Sequence, residues 1–569
     1  MITRQQAIDS FTGPGQLYEL VDAQVSGRAL RVFKNAPGSL RELFESTASD
    51  LPFLSYNDEK WTFAQAWQAA ARIGHVLVQD CGVVPGDRVA IAMRNYPEWV
   101  LAFTAITSVG AVAVAMNGHW QSDEMAYALT DSGARVLFAD QERLDRLPSS
   151  GASLQVLAVR PTKTLAHGVR LLKDLTEALG PVAMPHVAIA QDDPATILYT
   201  SGSTGHPKGV VSSQRNILSA LLSWELDRAV GDAVAGIVAP PPGDPSVEQP
   251  GTLLAVPLFH VTGLHASYLS SYRTQRRMVC MYRWDAQHAA ALIQSDRLTS
   301  MVAPAAVSGD LVRVAQTQQY DLSSLLALGG GGAPRAPEQV GQIAASFPNA
   351  LPATGWGMTE TNAIGVGIGG QDYLDHPESS GRCSQVLELK IIDELGQALP
   401  TGQRGELLVR GTSVFFGYWQ QPEVTAKSFI GDWFRTGDVA YLDKDGFLYI
   451  VDRIKDLIIR GGENIGCGMV EAALLQHPDV HEAAVYAVPD ARLGEEVGAT
   501  VYGSEDLDVE ALRTYLSEHL ARFAVPRYIL HSKAPLQRTP SGKIFKREIR
   551  QAALAEIQHA SPSATVAKP

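Results

Sequence analysis

The sequence predicts an α/β protein: a large N-terminal domain of α/β layered subdomains with a β-rich part, and a small C-terminal α+β domain. A chain of 569 residues is too long for a single hydrophobic core. Helical patterns and short apolar strand patterns alternate as far as Val156, which is typical of mixed α/β layers. From Leu387 to Val409 the pattern becomes more β-like, and past Lys455 it indicates a separate small unit.

The N-terminal half contains helix and strand signals in succession. Residues 1–35 carry scattered charge and few clear periods, and we expect an extension packed loosely on the body. Ser39 is a plausible N-cap for a helix, and residues 89–93 predict a buried strand. Residues 100–116 approach the length of a membrane span, but Gly110 interrupts them and their second half resembles a strand. A helix followed by a strand in a soluble core is therefore predicted.

The remainder of the chain supports a division into domains. Residues 216–226 predict a helix, residues 230–251 a Gly- and Pro-rich surface loop or small insertion, and residues 253–258 a strand. Another helix is predicted from Val509 to Leu520. The resulting divisions are an N-terminal domain at 1–453, a hinge at 454–455, a C-terminal domain at 456–555 and a disordered tail at 556–569.

Composition limits the partners and the compartment. The formal net charge is −13, whereas binding to nucleic acid needs a basic face, so we expect no nucleic-acid partner. The four cysteines form no CxxC pair, which predicts neither disulfides nor zinc and favours a reducing compartment. The N-terminus lacks the order of a signal peptide. We expect a cytoplasmic protein without a transmembrane segment; whether it is a homodimer stays open.

A segment rich in glycine and hydroxyl groups follows an apolar strand signal that ends at Tyr199. Glycines let backbone N–H groups approach a ligand, and hydroxyls with Lys208 suit an oxyanion as large as a triphosphate. Pro207 before the lysine and Gly209 after it exclude a Walker A loop. A flexible Ser/Gly linker is the alternative. The candidate nucleotide-binding residues are Thr200, Ser201, Gly202, Ser203, Thr204, Gly205 and Lys208.

A second segment offers groups for a base, a phosphate and a metal. Trp356 presents a broad face to a purine, and Thr359 can donate to a phosphate. Glu360 is a hard oxygen ligand suited to Mg²⁺, which makes it the candidate metal ligand. A strand and turn with an ordinary core tryptophan is the alternative. The candidate residues are Gly355, Trp356, Gly357, Met358, Thr359 and Glu360.

Three weaker signals add to these. The glycine run 329–334 can form a backbone wall against a flat ring, or a plain turn. Asp438 offers a carboxylate to a ribose diol, with a solvated turn acid as the alternative, and Arg453 offers a second ribose or phosphate contact. The loop that ends at Lys543 presents one lysine. Lys543 is a candidate for contact with the phosphates, because the Lys208 segment lacks a second strong cation.

In this order and spacing, the motifs resemble the adenylate-forming superfamily over nearly the whole chain, and within it the acyl-CoA synthetases. The resemblance implies that residues 200–208 hold the β- and γ-phosphates and that Trp356 lies over the adenine, where tyrosine is commoner. It also implies α-phosphate and Mg²⁺ contacts from Thr359 and Glu360. The segment implied to contact adenine is Gly331, Gly332, Ala333 and Pro334, and the residues implied to contact ribose are Asp438 and Arg453.

The same resemblance implies a mobile C-terminal domain. Lys455 corresponds to the hinge, and Gly462 to the place where the thiol arm enters. Lys543 corresponds to the lysine that bridges carboxylate and phosphate during adenylation, so the domain would exchange Lys543 for the Gly462 face. Met469 departs from the family, which usually has a glutamate there; this bears on the thiol-accepting step and not on the ATP site.

The segment 257–265 resembles the part that lines the acid pocket, with His260 at its floor or gate and Gly263 within it. A satisfied core histidine is the alternative. Amino-acid-adenylating domains have an aspartate after the phenylalanine here, so His260 favours an apolar or aromatic acid: fatty, aryl or polycyclic. The small residues that begin at Ala305 leave room for a bulky substrate.

The resemblance therefore implies an acid–thiol ligase that uses ATP, Mg²⁺ and coenzyme A, of the kind found in fatty acid metabolism. Its partners would be a small-molecule carboxylic acid and CoA. Two alternatives stay open: a stand-alone adenylating enzyme that loads a carrier protein's phosphopantetheine thiol, and a catalytically inactive nucleotide-binding homologue. All three readings require residues 200–208, 356–360 and 438 to share one cleft.

Overall fold

The computed structural model describes residues 2–147, 154–200, 207–332, 335–454, 456–461, 463–539 and 542–560. Helices and sheets form a large N-terminal part, and a smaller part follows residue 456, so the predicted fold class is confirmed. The domain limits themselves stay a prediction, and Lys455 lies outside the described residues.

The α-helices are α1 Arg4–Thr12, α2 Leu40–Ser46, α3 Phe63–His75, α4 Pro97–Ser108, α5 Ser122–Ser132, α6 Gln141–Leu144, α7 Leu172–Glu177, α8 Gln214–Ala235, α9 Ser270–Thr274, α10 Ala286–Ser295, α11 Ala305–Gln316, α12 Pro337–Ser346, α13 Gly370–Asp375, α14 Pro422–Lys427, α15 Cys467–Leu475, α16 Val509–His519 and α17 Lys546–Ala560. Two π-helices span Val76–Asp80 and Thr262–Leu269, and a 3₁₀ turn spans Thr359–Thr361.

The strands up to the glycine run are β1 Leu20–Val25, β2 Arg28–Phe33, β3 Pro52–Tyr56, β4 Glu59–Thr62, β5 Arg88–Ala92, β6 Val112–Ala115, β7 Val136–Asp140, β8 Gln155–Val159, β9 Val169–Leu171, β10 Pro194–Thr200, β11 Lys208–Ser213, β12 Gly251–Leu254, β13 Arg277–Cys280, β14 Ser300–Ala303 and β15 Ala327–Gly330. Those that follow are β16 Leu351–Trp356, β17 Val366–Gly369, β18 Gly381–Cys383, β19 Leu387–Ile392, β20 Gly405–Gly411, β21 Gly417–Tyr418, β22 Phe429–Ile430, β23 Trp433–Leu442, β24 Phe447–Arg453, β25 Ile458–Arg460, β26 Glu463–Ile465, β27 Val480–Asp490, β28 Gly494–Gly503 and β29 Tyr528–Ser532.

Local sequence signals account for several of these elements. The Ser39 side chain accepts a hydrogen bond from the Glu42 backbone N–H at 3.2 Å, so the predicted N-cap of α2 is confirmed. The apolar run after Pro97 forms α4 and then β6, both buried, as predicted for a soluble core. In the described part of the chain, no helix combines the length and the apolar character that a membrane crossing needs.

Residues 2–35 do not form the loosely packed extension that the sequence predicts. Helix α1 packs on α8, and β1 pairs with β2 in a hairpin. Ala7, Tyr18 and Phe33 are buried in one core cluster with Leu226 of α8. The sequence signal was weak because these apolar residues are spread over three short elements, each of which buries few of them.

Two predicted element limits also change. Helix α8 continues to Ala235, well past the predicted end, and Gly236 terminates it with a φ of 73°. Strand β12, between β13 and β14, ends at Leu254. The predicted end at Leu258 is wrong, and a strand that continued that far would include Pro257, which has no N–H to donate to a neighbour. Between α8 and β12, residues 237–250 form a loop, which is shorter than the predicted 230–251 because residues 230–235 belong to α8 and Gly251 begins β12.

Two large sheets carry the functional segments. One has the order β21-β11-β10-β6-β5-β7-β8-β9. The other is parallel from β3 through β13, β12, β14 and β15 to β16, and antiparallel from β16 towards β24, β23 and β20. The carboxyl ends of β15 and β16 therefore lie at the edge of the parallel part of the sheet. In open α/β sheets, ligands bind outside the carboxyl ends of the strands.

The small C-terminal part has a sheet and a core of its own. Strands β26, β25, β28 and β27 pair in that order, and β29 adds in parallel to β28. The core of this part includes Ile458, Val485 and Leu512. The polar contacts between the small part and the large one are described below.

Candidate active site

The hairpin of β10 and β11 positions the first candidate residues. Thr200 pairs with Lys208 and Tyr199 with Gly209, so the two strands bring both ends of the glycine- and hydroxyl-rich segment together. Gly209 is required here, because a Cβ on it would lie 2.8 Å from the Ile197 side chain. The predicted contacts Ser201, Gly202, Ser203, Thr204 and Gly205 lie outside the described residues.

Lys208 is linked through Tyr418 to Glu360. Strand β21 adds to β11 and places the Tyr418 ring beneath Lys208, whose Nζ lies 5.2 Å from the ring centroid. The Tyr418 hydroxyl donates to Glu360 Oε1 at 2.9 Å. Burial raises the pKa of the Glu360 carboxyl, against the opposing effects of Tyr418, Arg453 and Lys208. A buried carboxylate thus lies beside two cations, at the start of the turn that follows β16.

Trp356 and Asp438 contact each other directly. The indole Nε1 donates to Asp438 Oδ2 at 2.7 Å, and Arg453 Nε lies 3.3 Å from Asp438 Oδ1. Arg453 comes opposite Asp438 because β23 and β24 pair in that register. Burial raises the pKa of the Asp438 carboxyl, whereas Arg453 and Trp356 lower it. Asp438 is 3% exposed, which excludes the solvated turn acid.

The glycines beside Trp356 are required by close packing of the chain on itself. A Cβ on Gly355 would lie 2.7 Å from the Val366 carbonyl oxygen, and one on Gly357 would lie 2.5 Å from that of Ala363. Gly365 belongs to the same packing, since its Cβ would lie 2.5 Å from Trp356 Cε3. Gly365 was not predicted from the sequence, because it follows the motif and has no pattern of its own. Met358 and Thr359 line the cavity with these residues.

Lys543 lies over the glycine segment that follows β15. Gly332 has a φ of +78°, and a Cβ on it would lie 3.0 Å from Lys543 Cε. Gly331 has open space where a Cβ would stand. The neighbouring Ala333 and Pro334 lie outside the described residues, as do Lys455 and Gly462. Lys543 is nevertheless close to a segment more than two hundred residues earlier in the chain, as the bridging assignment requires.

The cleft around Lys543 is electropositive. Part of the lysine is accessible to solvent, but protein surrounds it on both sides of the cleft. This burial and the charge of Arg453 lower the pKa of Lys543 to about 8. Burial lowers the pKa of His260 to about 3, helped by the charges of Lys543 and His119. His260 is therefore neutral at pH 7, and the cations favour an anionic ligand in the cleft.

Polar side-chain contacts join the small part to the large one in this position. Arg538, close to Lys543 in sequence, lies 2.9 Å from Asp310 of α11 through its Nη1. Arg538 is itself held by Glu482, a residue of the small part, at 2.5 Å. Gln476 donates to Glu338 Oε1 at 2.6 Å. Asp310 was not predicted from the sequence, because an acidic residue on an amphipathic helix carries no signal of its distant partner.

The predicted residues that the structure describes line one continuous cavity of about 3120 Å³. Its lining includes Thr200, Lys208, Trp356, Glu360, Asp438 and Lys543. His260 and Ala305 line it as well, and their assignment to an acid pocket stays a prediction. Gly263 does not belong to the lining: a Cβ on it would lie 2.3 Å from the Pro257 carbonyl oxygen, so its role is close packing.

The donor set fits magnesium that is carried by a nucleotide. Among the described residues, no group of three or more His, Cys, Asp or Glu side chains could hold a metal by itself. Glu360 supplies one buried carboxylate, and Mg²⁺ commonly takes one or two carboxylates together with phosphate oxygens and water.

Comparison with known proteins identifies the family. Residues 42–419 match the family model described as AMP-binding enzyme, and residues 469–543 match the model of the AMP-binding enzyme C-terminal domain. The chain belongs to the AMP-binding enzyme family. The predicted resemblance to adenylate-forming acid–CoA ligases is confirmed, and with it the class of acid–thiol ligase.

Relatives of this AMP-binding enzyme cover nearly its whole length. A 2-succinylbenzoate–CoA ligase of Geobacillus kaustophilus is 35% identical over 496 residues, which is 86% of this chain and 92% of the relative. A long-chain-fatty-acid–CoA ligase of Mycobacterium tuberculosis is 31% identical over 499 residues, 87% of this chain and 93% of the relative.

Solved structures agree with this assignment. The o-succinylbenzoate CoA synthetase of Bacillus subtilis, in complex with its acyl-adenylate intermediate, superposes with a TM-score of 0.74 at 27% identity and covers 89% of this chain and 97% of that one. The same synthetase in complex with ATP and magnesium ion gives a TM-score of 0.73, also at 27% identity, and covers 89% and 99%. The fold of the AMP-binding enzyme described above is thus one that holds ATP and an acyl-adenylate in a relative.

Proposed function

We propose that this AMP-binding enzyme adenylates an apolar or aromatic carboxylic acid with ATP, releases pyrophosphate, and transfers the acyl group to coenzyme A as a thioester. The observation that carries the proposal is the position of Lys543, which the small part inserts over Gly332 in the cleft that also holds Lys208 and Arg453. The names of relatives support the substrate class, since they include aromatic and fatty acids.

The first step needs these cations. A carboxylate resists a nucleophile because it is anionic and its leaving group would be oxide. When it attacks the α-phosphorus of ATP, the acyl-adenylate forms and pyrophosphate leaves. Two anions must meet in that step, and Lys208 and Lys543 offset the repulsion. Loss of one such preorganised group costs on the order of 3 kcal/mol of barrier.

The remaining described residues position the nucleotide. The indole face of Trp356 takes the adenine, and the oxygens of Asp438 accept from the ribose diol while Trp356 and Arg453 hold the carboxylate. Glu360 would hold magnesium, with Tyr418 fixing one of its oxygens. Bound magnesium supplies positive charge to the phosphates during the displacement. Gly331 and Gly332 form a wall without side chains beside the base.

The acid lies against a neutral surface. His260 remains uncharged at neutral pH and Ala305 is small, so neither competes with Lys543 for the reacting carboxylate. An apolar or aromatic body is therefore accommodated, whereas the ammonium of an amino acid has no counter-charge beside His260.

The second step requires Lys543 to leave. We place the pivot at 454–455, where the large antiparallel sheet ends with β24 and the small sheet begins with β25. The thiol arm would then enter beside Gly462. Met469 on α15 is 47% exposed and lines the cavity, so an apolar side chain stands where the family usually presents an acid.

The test is Lys543→Ala, assayed in two half-reactions. Acid-dependent ATP–pyrophosphate exchange should fall roughly 10²-fold, as expected for the loss of one such cation. Thioester formation from supplied acyl-adenylate and CoA should survive, because Lys543 does not take part in it. Lys533→Ala, an exposed lysine of the same part, is the matched control and should change neither.

Other outcomes would select the alternatives. If the unsubstituted protein shows no exchange with any acid of a fatty, aryl and polycyclic panel, it is a nucleotide-binding homologue without this activity. If exchange occurs but CoA yields no thioester while a phosphopantetheinylated carrier protein does, the enzyme loads a carrier. Equal loss of both half-reactions in Lys543→Ala would contradict the assigned role of Lys543.

A further inference from the structure

Arg276 lines the acid pocket, at the end away from the residues proposed to bind the nucleotide. Arg276 stands just before β13, and its guanidinium borders the same cavity as His260. It donates to the carbonyls of Ala266 and Ser267 at 3.4 and 3.2 Å. It also approaches the Ser271 and Ser300 hydroxyls, at 3.5 and 3.4 Å. All these acceptors are neutral, and most of the contacts are long.

Arg276 has no carboxylate counter-ion within 4.0 Å among the residues that the structure describes. Burial, together with the nearby charge of Arg228, lowers the pKa of Arg276 to about 10. Acids on the facing helix α8 are engaged elsewhere: Glu225 pairs with Arg273 at 2.6 Å, and Asp227 lies 3.5 Å from Arg4. The charge of the other cation, Arg228, acts on Asp232 and lowers its pKa against the effect of burial. In the described part of the chain, the guanidinium of Arg276 thus lines the cavity without a carboxylate to balance its charge.

Arg276 lies far from the reacting end of the pocket. The cavity follows one face of the helical segment from His260, past Ala266 and Ser270, to Arg276. The opposite wall is α8, which packs on the same π-helix and contributes Trp224 and Arg228. Ten residues of helix separate His260 from Ser270, which places the two ends on the order of 10–15 Å apart.

We infer that the acid carries a second carboxylate, which Arg276 binds at the far end of the pocket while Lys543 holds the reacting carboxylate. A guanidinium binds a carboxylate with two parallel hydrogen bonds and remains charged at all physiological pH values. Arg228 adds positive charge on the facing wall. The neutral lining between the two ends takes an apolar or aromatic body.

This inference rests on the proposed function and narrows its substrate to acids with an anionic far end. A site built to pair a polar group discriminates strongly against a substrate that lacks it, because its own buried group is then left unpaired. Arg276 thus determines specificity and takes no part in the bond changes, which remain those of adenylation and thioester formation.

The experiment compares linear α,ω-dicarboxylic acids with monocarboxylic acids of the same carbon number in the CoA-thioester assay. The wild-type enzyme should prefer the dicarboxylic member at one or more chain lengths, by at least roughly tenfold in kcat/KM. In Arg276→Met, this preference should fall to near unity through KM, while kcat/KM for the monocarboxylic acids stays the same or rises. Arg276→Lys keeps the charge and should retain part of the preference.

Arg277→Met is the matched control. Arg277 is the next residue, reaches the Arg297 carbonyl at 3.5 Å, and lies outside the cavity lining, so the preference should remain. Thioester from monocarboxylic acids with no preference for any dicarboxylic acid in the wild type would overturn the inference and leave the proposed function intact. An unchanged preference in a folded Arg276→Met would also overturn it. The wild-type comparison needs no variant, so a failure of Arg276→Met to fold does not remove the test.

Discussion

Trp356 and Asp438 lie 82 positions apart and are joined by a hydrogen bond of 2.7 Å between the indole Nε1 and the buried carboxylate Oδ2. The contact couples the group assigned to adenine with the group assigned to ribose. In the proposed function Trp356 would therefore act twice: its face would take the base, and its edge holds the acid that would accept from the sugar.

Replacing Trp356 with Phe tests this coupling. The variant keeps an aromatic face but removes the donor, and an unsatisfied buried acceptor costs about 1–3 kcal/mol. We expect the KM for ATP to rise roughly tenfold, with little change in the KM of the acid, measured as pyrophosphate release. Trp433→Phe, on the same strand as Asp438 but with its ring against Lys390, is the control and should not change either value. Equal KM values for ATP in the Trp356→Phe variant and the wild type would refute the coupling.

The pKa of Lys543 predicts how adenylation depends on pH. Because the pKa of this lysine is about 8 in the free enzyme, it loses its proton as the pH rises through that value. The kcat/KM of adenylation, which reports groups of the free enzyme, should therefore fall above about pH 8. The exchange assay across pH measures this limb.

The same titration affects the stability of the closed arrangement in the opposite direction to activity. The pKa of Lys543 drops from 10.5 to about 8 when the small part is closed, so the closed arrangement binds fewer protons between those values and becomes more stable as the pH rises. Lys543→Arg keeps its charge over the whole range, and the alkaline limb should disappear from its residual activity. A limb that persists in Lys543→Arg would assign the titration to another group.

Because the Arg538–Asp310 ion pair joins the two parts, we expect its loss to slow adenylation and not thioester formation. Asp310→Asn removes the charge that holds the small part over the site, while Arg538 keeps its pairing with Glu482. Exchange should fall roughly threefold to tenfold, about 1 kcal/mol, and thioester formation from supplied acyl-adenylate should not fall.

Arg313→Gln serves as the control for Asp310→Asn. Arg313 also pairs with Asp310, but both residues belong to α11, so this pair does not join the two parts. The variant should leave both half-reactions unchanged. If Asp310→Asn slows both half-reactions to the same extent, the pair supports the large part and not the closed arrangement.

Substitution of Gly263 should lower the stability of the protein, because this residue packs against the chain and does not line the cavity. A Cβ on this residue would lie 2.3 Å from the Pro257 carbonyl oxygen, so Gly263→Ala must displace the backbone of the acid-pocket segment. We expect a loss of about 1–3 kcal/mol in the free energy of unfolding, measured by denaturant titration. Gly341→Ala in α12 has open space for its Cβ and should be neutral or slightly stabilising. A similar result for both variants would disprove the steric role.

Short-range sequence patterns were enough to predict several elements, the candidate binding segments and the class of protein. Strand β10, the Ser39 cap, α4 with β6 and the position of Trp356 before Glu360 follow from short-range patterns, because side-chain periodicity, capping and turn preferences act within a few residues. The spacing of the motifs then indicated the adenylate-forming family, which the comparisons confirmed.

Which of the distant side chains contact one another depends on the folded structure. The contacts of Tyr418 with Glu360, Arg538 with Asp310 and Trp356 with Asp438 join residues 58 to 228 positions apart, and no local pattern encodes such a partner. That no carboxylate in the described part of the chain pairs with Arg276, that Gly263 packs on Pro257 and that residues 2–35 contribute to a buried core cluster were likewise not predictable from local patterns. Burial, and with it the charge state of Lys543 and His260, depends on the full set of surrounding atoms, which only the folded chain brings together.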